Sequence, residues 1–380
     1  LLARSFERRK KVKVALVYDR INKWGGAERV LLALHEIFPN APLYCAVADI
    51  QKAPWAKIFP RIYPSFIQKI PIFRNFHELL GWLTPIAFEQ FNFDNYDLVV
   101  SVSSEAAKGV IVKPKTKHVS ICLTPTRYLW SQKRFYYKKP QWPLSLIPFY
   151  KFFSKPFLNY AKYWDKIASK RADVVIAISN DVKKRIKKYY KRDSVVIYPP
   201  VNVDYFNPVQ KTKKENVKKL DYLVVSRLVP YKKVKLAVEA FNRIGRKLVV
   251  IGDGSEKKNL KKIAYKNIEF VGIVSDMKLK KYYQLARALI MPQNEDFGIA
   301  SVEAQSCGTP VIAYMKGGSC DTVVDGKTGV LFNKQTIDTL VDAVKRFDRM
   351  DFKTNDLVNN AKRFGSRNFE EKFLELINKT

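Results

Sequence analysis

Two carboxylates raise the question of chemistry. Glu295 and Glu303 stand eight residues apart in "NEDFGIASVEAQSCGTPVIA" (294–313), directly after the apolar run "RALIMP". Gly298 opens a helical pattern that contains Glu303. One carboxylate is therefore expected in a loop at a strand end, the other about two turns on, near the helix start. Carboxylates accept hydrogen bonds from sugar hydroxyls, so such a pair suits a ribose and a hexose held together. The plainer alternative is a helix with acidic residues in its first turn, where the dipole favours them. Cations stand at another strand end. "VVSRLVPYKKVKLAVEAF" (224–241) puts Arg227 after a strand and Lys232 and Lys233 before an amphipathic helix. A diphosphate fits there: Arg grips phosphate oxygens bidentately and Lys acts as a point charge. Ordinary surface basicity is the competing explanation.

Glycines mark the other turns. Gly252 and Gly254 in "VVIGDGSEKKNL" can bring backbone against a nucleotide, and Gly317-Gly318 suggests another backbone-lined anion site. Gly25 and Gly26 in "DRINKWGGAERVLLALHEIF" (19–38) sit where a strand passes into a helix, so a ligand can approach backbone N–H groups at a helix N-terminus. Neither G-x-G-x-x-G nor a Walker A sequence occurs there, which disfavours a dinucleotide cofactor. A further strand end reads "HVSICLTPTRYLW" (118–130): a buried strand breaks into Thr124-Pro125-Thr126 and then Arg127.

These loops need a scaffold that gathers strand ends. Short β-branched runs alternate with helical patterns: 12–18, 97–102, 118–123, 173–179 and 194–198, then 221–226, 247–252, 287–292 and 309–314. Continuous rather than alternating apolar strands mean both sheet faces are covered. Helices between them mean parallel βαβ units. The series restarts after the Pro-punctuated, then charged, stretch 198–219, which reads as a linker. The expectation is an α/β protein of two doubly wound, Rossmann-like domains facing a cleft: 1–200, 201–360, and a helix at 361–380 packing back on the first. In such sheets ligands bind beyond the carboxyl ends of strands.

The 380 residues carry a net charge of +34, which points to an anionic partner: nucleic acid, anionic lipid or phosphorylated substrate. Residues 131–170 interrupt the α/β pattern. They hold nine Lys/Arg against the single acid Asp165, with aromatics throughout. A solvated helical face and an anionic membrane surface weigh about equally there. Nucleic acid ranks below both, because no recognised binding module surrounds the segment. The four cysteines form no CxxC pair and no metal-ligand cluster appears; three sit in apolar or small-residue surroundings, so buried thiols in a reducing compartment are expected. "LLARSFERRKK" is charged too early for the apolar core of a signal peptide, and no run is long enough to span a bilayer.

Together "GGAERV", "SRLVPYKK", "EDFGIASVEAQSCGTPVIAY", "GGSCDTVVDGKTG" and "RADVVIAISNDVKKRIKKYYKRDSVVIYPPVNVDYF" resemble the retaining GT-B glycosyltransferases with a Glu-x7-Glu motif. The chain is most similar to the bacterial mannosyltransferases of surface-polysaccharide assembly. The resemblance implies a nucleotide-diphosphate sugar as substrate, with GDP-mannose as donor and a lipid-linked or polysaccharide acceptor at the cytoplasmic membrane face. It implies that Arg227 and Lys232 hold the diphosphate, Glu303 the ribose, and Glu295 the donor-sugar hydroxyls, with backbone at Phe297, Gly298 and Ile299 nearby. Gly25 and Gly26 would lie against phosphates or acceptor. Cations and helix ends stabilise the leaving diphosphate, so no cofactor or divalent metal is required. The sequence departs from the family pattern at Leu123, where a histidine facing the donor sugar is expected; Arg127 follows in the same loop. His118 lies too near the strand start to replace it. Ser301 and Asp321 are smaller departures. Leu123 leaves three explanations: a donor lacking the relevant hydroxyl, an impaired enzyme, or a sugar-nucleotide-binding protein without turnover.

Overall fold

The structure, a computed structural model, describes residues 12–70, 83–133, 150–209 and 220–379. The chain divides into two compact units. The first runs up to Tyr198 and includes the C-terminal segment from Glu370; the second is Pro199–Phe369.

The first unit is built on a seven-stranded parallel sheet. Its strands are β1 (Val14–Tyr18), β2 (Leu43–Cys45), β3 (Ile62–Pro64), β4 (Leu98–Ser103), β5 (Lys117–Cys122), β6 (Val174–Ala177) and β7 (Val195–Val196). Their order is β3-β2-β1-β4-β5-β6-β7. Every residue of β1 and β4 is buried, as central strands covered on both faces must be. Three helices of this unit matter below: α1 (Gly26–Ile37), α2 (Tyr150–Ala168) and α3 (Asn180–Tyr190). Helix α3 begins at Ser179, whose Oγ accepts the Val182 N–H at 3.1 Å, an N-cap. Of the basic stretch 131–170, residues 134–149 lie outside the described residues, and the rest includes helix α2.

The second unit carries a six-stranded parallel sheet: β8 (Leu220–Val225), β9 (Leu248–Ile251), β10 (Ile268–Gly272), β11 (Ala286–Met291), β12 (Val311–Tyr314) and β13 (Gly329–Phe332). Their order is β10-β9-β8-β11-β12-β13. Alternate residues feed two cores. Tyr222, Val224, Val250, Ile290 and Ile312 pack on one face; Leu223, Val249, Leu289, Met291 and Val311 pack on the other. That two-sided burial is why these strands read as unbroken apolar runs. The helices used below are α4 (Val234–Ile244), α5 (Asp276–Leu285), α6 (Ile299–Ser306) and α7 (Ser366–Lys379). Helix α4 buries Val234, Ala237, Val238, Ala240 and Phe241, and ends at Gly245 in the left-handed region, φ 74°. Helix α7 begins in the second unit's span and ends in the first's, where Phe373 meets Phe38 edge-on at 6.3 Å.

Four strands escaped the sequence reading: β2, β3, β10 and β13. All lie towards sheet edges. β2 and β3 are only three residues long, and β10 mixes exposed with buried positions.

Candidate active site

In an open α/β sheet the ligand crevice lies where strand order reverses. In the second sheet that is between β8 and β11, and the predicted residues converge there. The loop after β8 carries Arg227 and Lys232; the loop after β11 carries Glu295. Lys232 Nζ and Glu295 Oε1 form an ion pair joining the two loops, with side chains only 15% and 14% exposed. Gln293 Nε2 donates to the same Oε1 at 3.0 Å and is itself buried. Arg227 is exposed. Its guanidinium bonds the Tyr231 hydroxyl, and Lys232 Nζ lies 5.6 Å from the centre of the Tyr231 ring.

Two backbone-on-backbone contacts shape this edge. A Cβ at Gly252 would sit 1.9 Å from Ser226 O, at φ 131°, so only glycine lets the β9 loop press against the β8 loop. On the other side, a Cβ at Gly318 would lie 2.2 Å from Phe297 Cα, while the Gly318 N–H donates to Glu295 O at 2.8 Å. Gly317-Gly318 therefore clamps the Glu295–Phe297 main chain. The Gly318 N–H is engaged in that clamp, which revises the reading of this pair as an anion cradle.

Gly254 turns beside Leu228, and its N–H donates to its neighbour Asp253 Oδ1 at 2.7 Å. Gly298 is the N-cap of α6 and Ile299 its first residue. Phe297 is buried and meets Phe364 at 5.5 Å. Glu303 lies within α6, 3% exposed, and its Oε2 accepts from Tyr283 Oη of α5 at 2.9 Å. The two carboxylates of the Glu-x7-Glu spacing thus differ: Glu295 is paired with a cation on a loop, and Glu303 with a phenol on a helix.

The first sheet reverses its order between β1 and β4. There the crevice is occupied from within. The Asp19 carboxylate, just past β1, accepts from the N–H groups of Ser104 (2.7 Å), Glu105 (3.0 Å), Ala106 (2.9 Å) and Ala107 (2.8 Å), and from Ser103 Oγ (3.1 Å). A row of N–H groups of this kind cradles anions in other folds; here a side chain fills it. Arg20 pairs with Glu105 alongside. Gly25 and Gly26 begin α1. Glu28 occupies that helix's first turn, buried, with Tyr18 Oη donating at 2.6 Å. Burial, then the Glu28 charge, raises the Tyr18 pKa well above its usual value. A carboxylate 3.2 Å from where a Gly25 Cβ would stand disfavours a phosphate there.

Leu123 and Arg127 lie in the loop after β5, both half-buried. That loop is anchored by Asp165 of α2. Asp165 accepts from Thr126 Oγ1 (2.7 Å) and Trp130 Nε1 (2.6 Å), and pairs with Lys108 Nζ at 2.6 Å. His118 is fully buried inside β5, its Nε2 2.9 Å from Ser101 Oγ, and burial pushes its pKa down to about 4. Its place is structural. Among the described residues, no group of three His, Cys, Asp or Glu side chains gathers in a metal-binding arrangement. Gln293, Asp19 and Tyr231 were missed in the sequence. Asp19 directly follows a buried strand and Gln293 stands two residues before Glu295, but neither position says which backbone or carboxylate the side chain meets.

Two parallel sheets of this order, with the charged loops of the second gathered at its switch point, define a protein of GT-B fold. Over 97% of this chain and 100% of the other, it superimposes with a TM-score of 0.70 at 17% identity on the crystal structure of Anabaena Alr3699/HepE in complex with UDP. Residues 207–364 match the family "Glycosyl transferases group 1" and residues 24–205 match "Glycosyltransferase Family 4". The two matches follow one another along the chain, and the fold they accompany is GT-B. An uncharacterized glycosyltransferase of Methanocaldococcus jannaschii, MJ1178, is 28% identical over 54% of this chain and 58% of its own length. The GDP-mannose-dependent alpha-(1-6)-phosphatidylinositol monomannoside mannosyltransferase of Mycobacterium tuberculosis is 30% identical over 45% of this chain and 51% of its own length. The chain thus spans about half the length of these curated relatives.

Proposed function

We propose that this protein is a retaining hexosyltransferase that uses a nucleotide-diphosphate sugar. The second unit would hold the donor and the first the acceptor. The observation that carries this reading is the meeting of Lys232 and Glu295 at the switch point of the second sheet, one a phosphate-binding cation and the other a hydroxyl-binding carboxylate. Arg227 and Lys232 stabilise charge on the departing diphosphate, Glu303 takes the ribose, and Glu295 orients the donor sugar. The anomeric C–O bond to the β-phosphate breaks through an oxocarbenium-like transition state. The acceptor oxygen bonds on the same face, and its proton passes to the leaving phosphate oxygen. No step in this scheme needs a metal.

GDP-mannose is the proposed donor and a lipid-linked or polysaccharide chain the proposed acceptor, on the motif resemblance and the mycobacterial relative's name. The chain's surface supports action at an anionic, cytoplasmic membrane face. Helix α2 exposes Phe157, Tyr160, Tyr163 and Ile167, and helix α3 exposes Lys183, Lys184, Lys187 and Lys188. Each such cation near anionic lipid is worth about 1 kcal/mol. No described helix is long and apolar enough to cross a membrane.

A thermal-shift panel of GDP-, UDP- and ADP-sugars tests the donor reading, because a ligand of the native state raises the melting temperature by mass action. GDP-mannose should give the largest shift and be consumed when membranes are added. No shift from any sugar nucleotide would overturn the reading. Leu123 motivates a second reading, donor binding without turnover. A shift without consumption, with turnover appearing in Leu123→His, would favour it.

A further inference from the structure

The loop between β1 and α1 is fixed along its backbone yet presents an indole to solvent. Ile21 N–H donates to Val47 O at 3.0 Å, Asp49 N–H donates to Ile21 O at 2.7 Å, and Trp55 Nε1 donates to Lys23 O at 2.7 Å. Asp19 secures the loop's start. Between these ties Trp24 remains 47% exposed. Its ring lies 6.4 Å from Trp55, which meets Phe59 edge-on at 6.2 Å. Phe59 is buried, so a row of rings props the exposed indole against the core. Gly25 and Gly26 follow it in the chain and bring no side chain of their own.

We infer that Trp24 is a stacking platform for a neutral hexopyranose ring of the acceptor. Position, shape and charge all support this assignment. The loop borders the switch point of the first sheet, where α/β folds take ligands. An indole face offers a broad apolar surface to the C–H face of a pyranose, whose hydroxyls stay free for water and neighbouring polar groups. The Asp19 carboxylate already fills the adjoining N–H cradle, and Glu28 stands at the start of α1. These two carboxylates disfavour a phosphate beside this ring, whereas an uncharged sugar needs no anion site. Helix α3 gathers the exposed Lys183, Lys184, Lys187 and Lys188 that suit lipid, whereas this loop sets only Lys23 next to Trp24 in the chain. The inference rests on the reading that the first unit holds the acceptor.

Saturation-transfer NMR with methyl α-mannoside, methyl α-glucoside and methyl α-galactoside tests it on the whole chain, with uridine monophosphate and anionic vesicles as controls. At least one hexoside should receive saturation at its ring C–H protons. Trp24→Ala should weaken that titration about tenfold, the scale of an aromatic stacking contact, and Trp24→Phe should retain most of it. Truncating an exposed side chain is mild, and unchanged melting temperature checks the fold. Thermal shifts by sugar nucleotides should match the parent's in both variants. Equal saturation in parent and Trp24→Ala, or none in the parent, overturns the platform. So does loss of vesicle binding alone in Trp24→Ala, which would make Trp24 a lipid anchor, or loss of nucleotide saturation alone in that variant, which would make it a nucleotide contact. Absence of any sugar-nucleotide shift would instead overturn the donor reading, so the two failures are distinguishable.

Discussion

Lys232 and Glu295, 63 residues apart in sequence, form an ion pair that bridges the β8 and β11 loops of the second sheet. The pair holds two groups with different proposed partners: the lysine for a diphosphate, the carboxylate for sugar hydroxyls. Binding a donor must exchange this contact for new ones, so the two residues should oppose each other in the binding cycle.

Lys232→Met removes a charge-assisted contact worth about 1.5–3 kcal/mol, so nucleotide diphosphate affinity should fall roughly 10- to 100-fold. Glu295→Gln releases Lys232 from its partner, so the same nucleotides should bind as well or more tightly while sugar transfer is lost. Titration calorimetry with GDP and UDP reads both signs. Unchanged affinity in both variants would mean that the pair takes no part in donor binding, and equal loss would mean that the two residues act together rather than in opposition.

Gly318→Ala tests the clamp on Glu295. The new methyl would overlap Phe297 Cα, and backbone cannot retreat as a flexible side chain can. Overpacking of this kind costs about 1–3 kcal/mol. The melting temperature should drop, and transfer should fall further than stability alone explains, because the Glu295–Phe297 main chain must shift. A variant with reduced stability but parental turnover at low temperature would separate the clamp from the chemistry.

Much of this architecture was legible because the central strands are buried on both faces. β1, β4, β8 and β11 announce themselves as apolar runs, and each is followed at its carboxyl end by glycines or charges. The edge strands β2, β3, β10 and β13 were not legible: two are three residues long, and β10 leaves Glu269 exposed, so the apolar signal is diluted. The site divides in the same way. Arg227, Lys232 and Glu295 could be named from their strand-end positions. That Lys232 meets Glu295, that Gln293 supports it, and that Asp19 fills the first sheet's cradle are long-range relationships. Residue type and local spacing do not encode them.

The buried ion pair under the β5 loop yields a stability prediction. Lys108 and Asp165 have side chains 5% and 2% exposed, and Asp165 also receives Thr126 and Trp130. Removing either partner leaves an uncompensated buried charge, a loss of about 3–5 kcal/mol. Lys108→Met and Asp165→Leu together should cost clearly less than the sum of the single changes. Urea unfolding of the four proteins measures the coupling; strict additivity would mean that the pair is not an energetic unit. Loosening the β5 loop should also show in Trp130 fluorescence, since its indole N–H donates to Asp165.

His118 gives the fold a specific acid sensitivity. Burial lowers its pKa from 6.5 to about 4, reinforced by Arg192 and Arg171 and opposed by Asp173. Its folded value lies below its unfolded one, so the unfolded chain binds this proton first. The contribution of neutral His118 is complete above pH 6.5. It is lost as pH falls from about 6.5 towards 4, and is flat below. The full loss is about 3 kcal/mol. Replacing the ring in His118→Gln should remove that slope while leaving the carboxylate titrations that the two proteins share. Urea midpoints at pH 7.5, 6, 5 and 4 would then show the parent losing ground to the variant as pH falls. Parallel curves across this window would mean that His118 titrates alike in the folded and unfolded chain, and that burial does not hold it neutral.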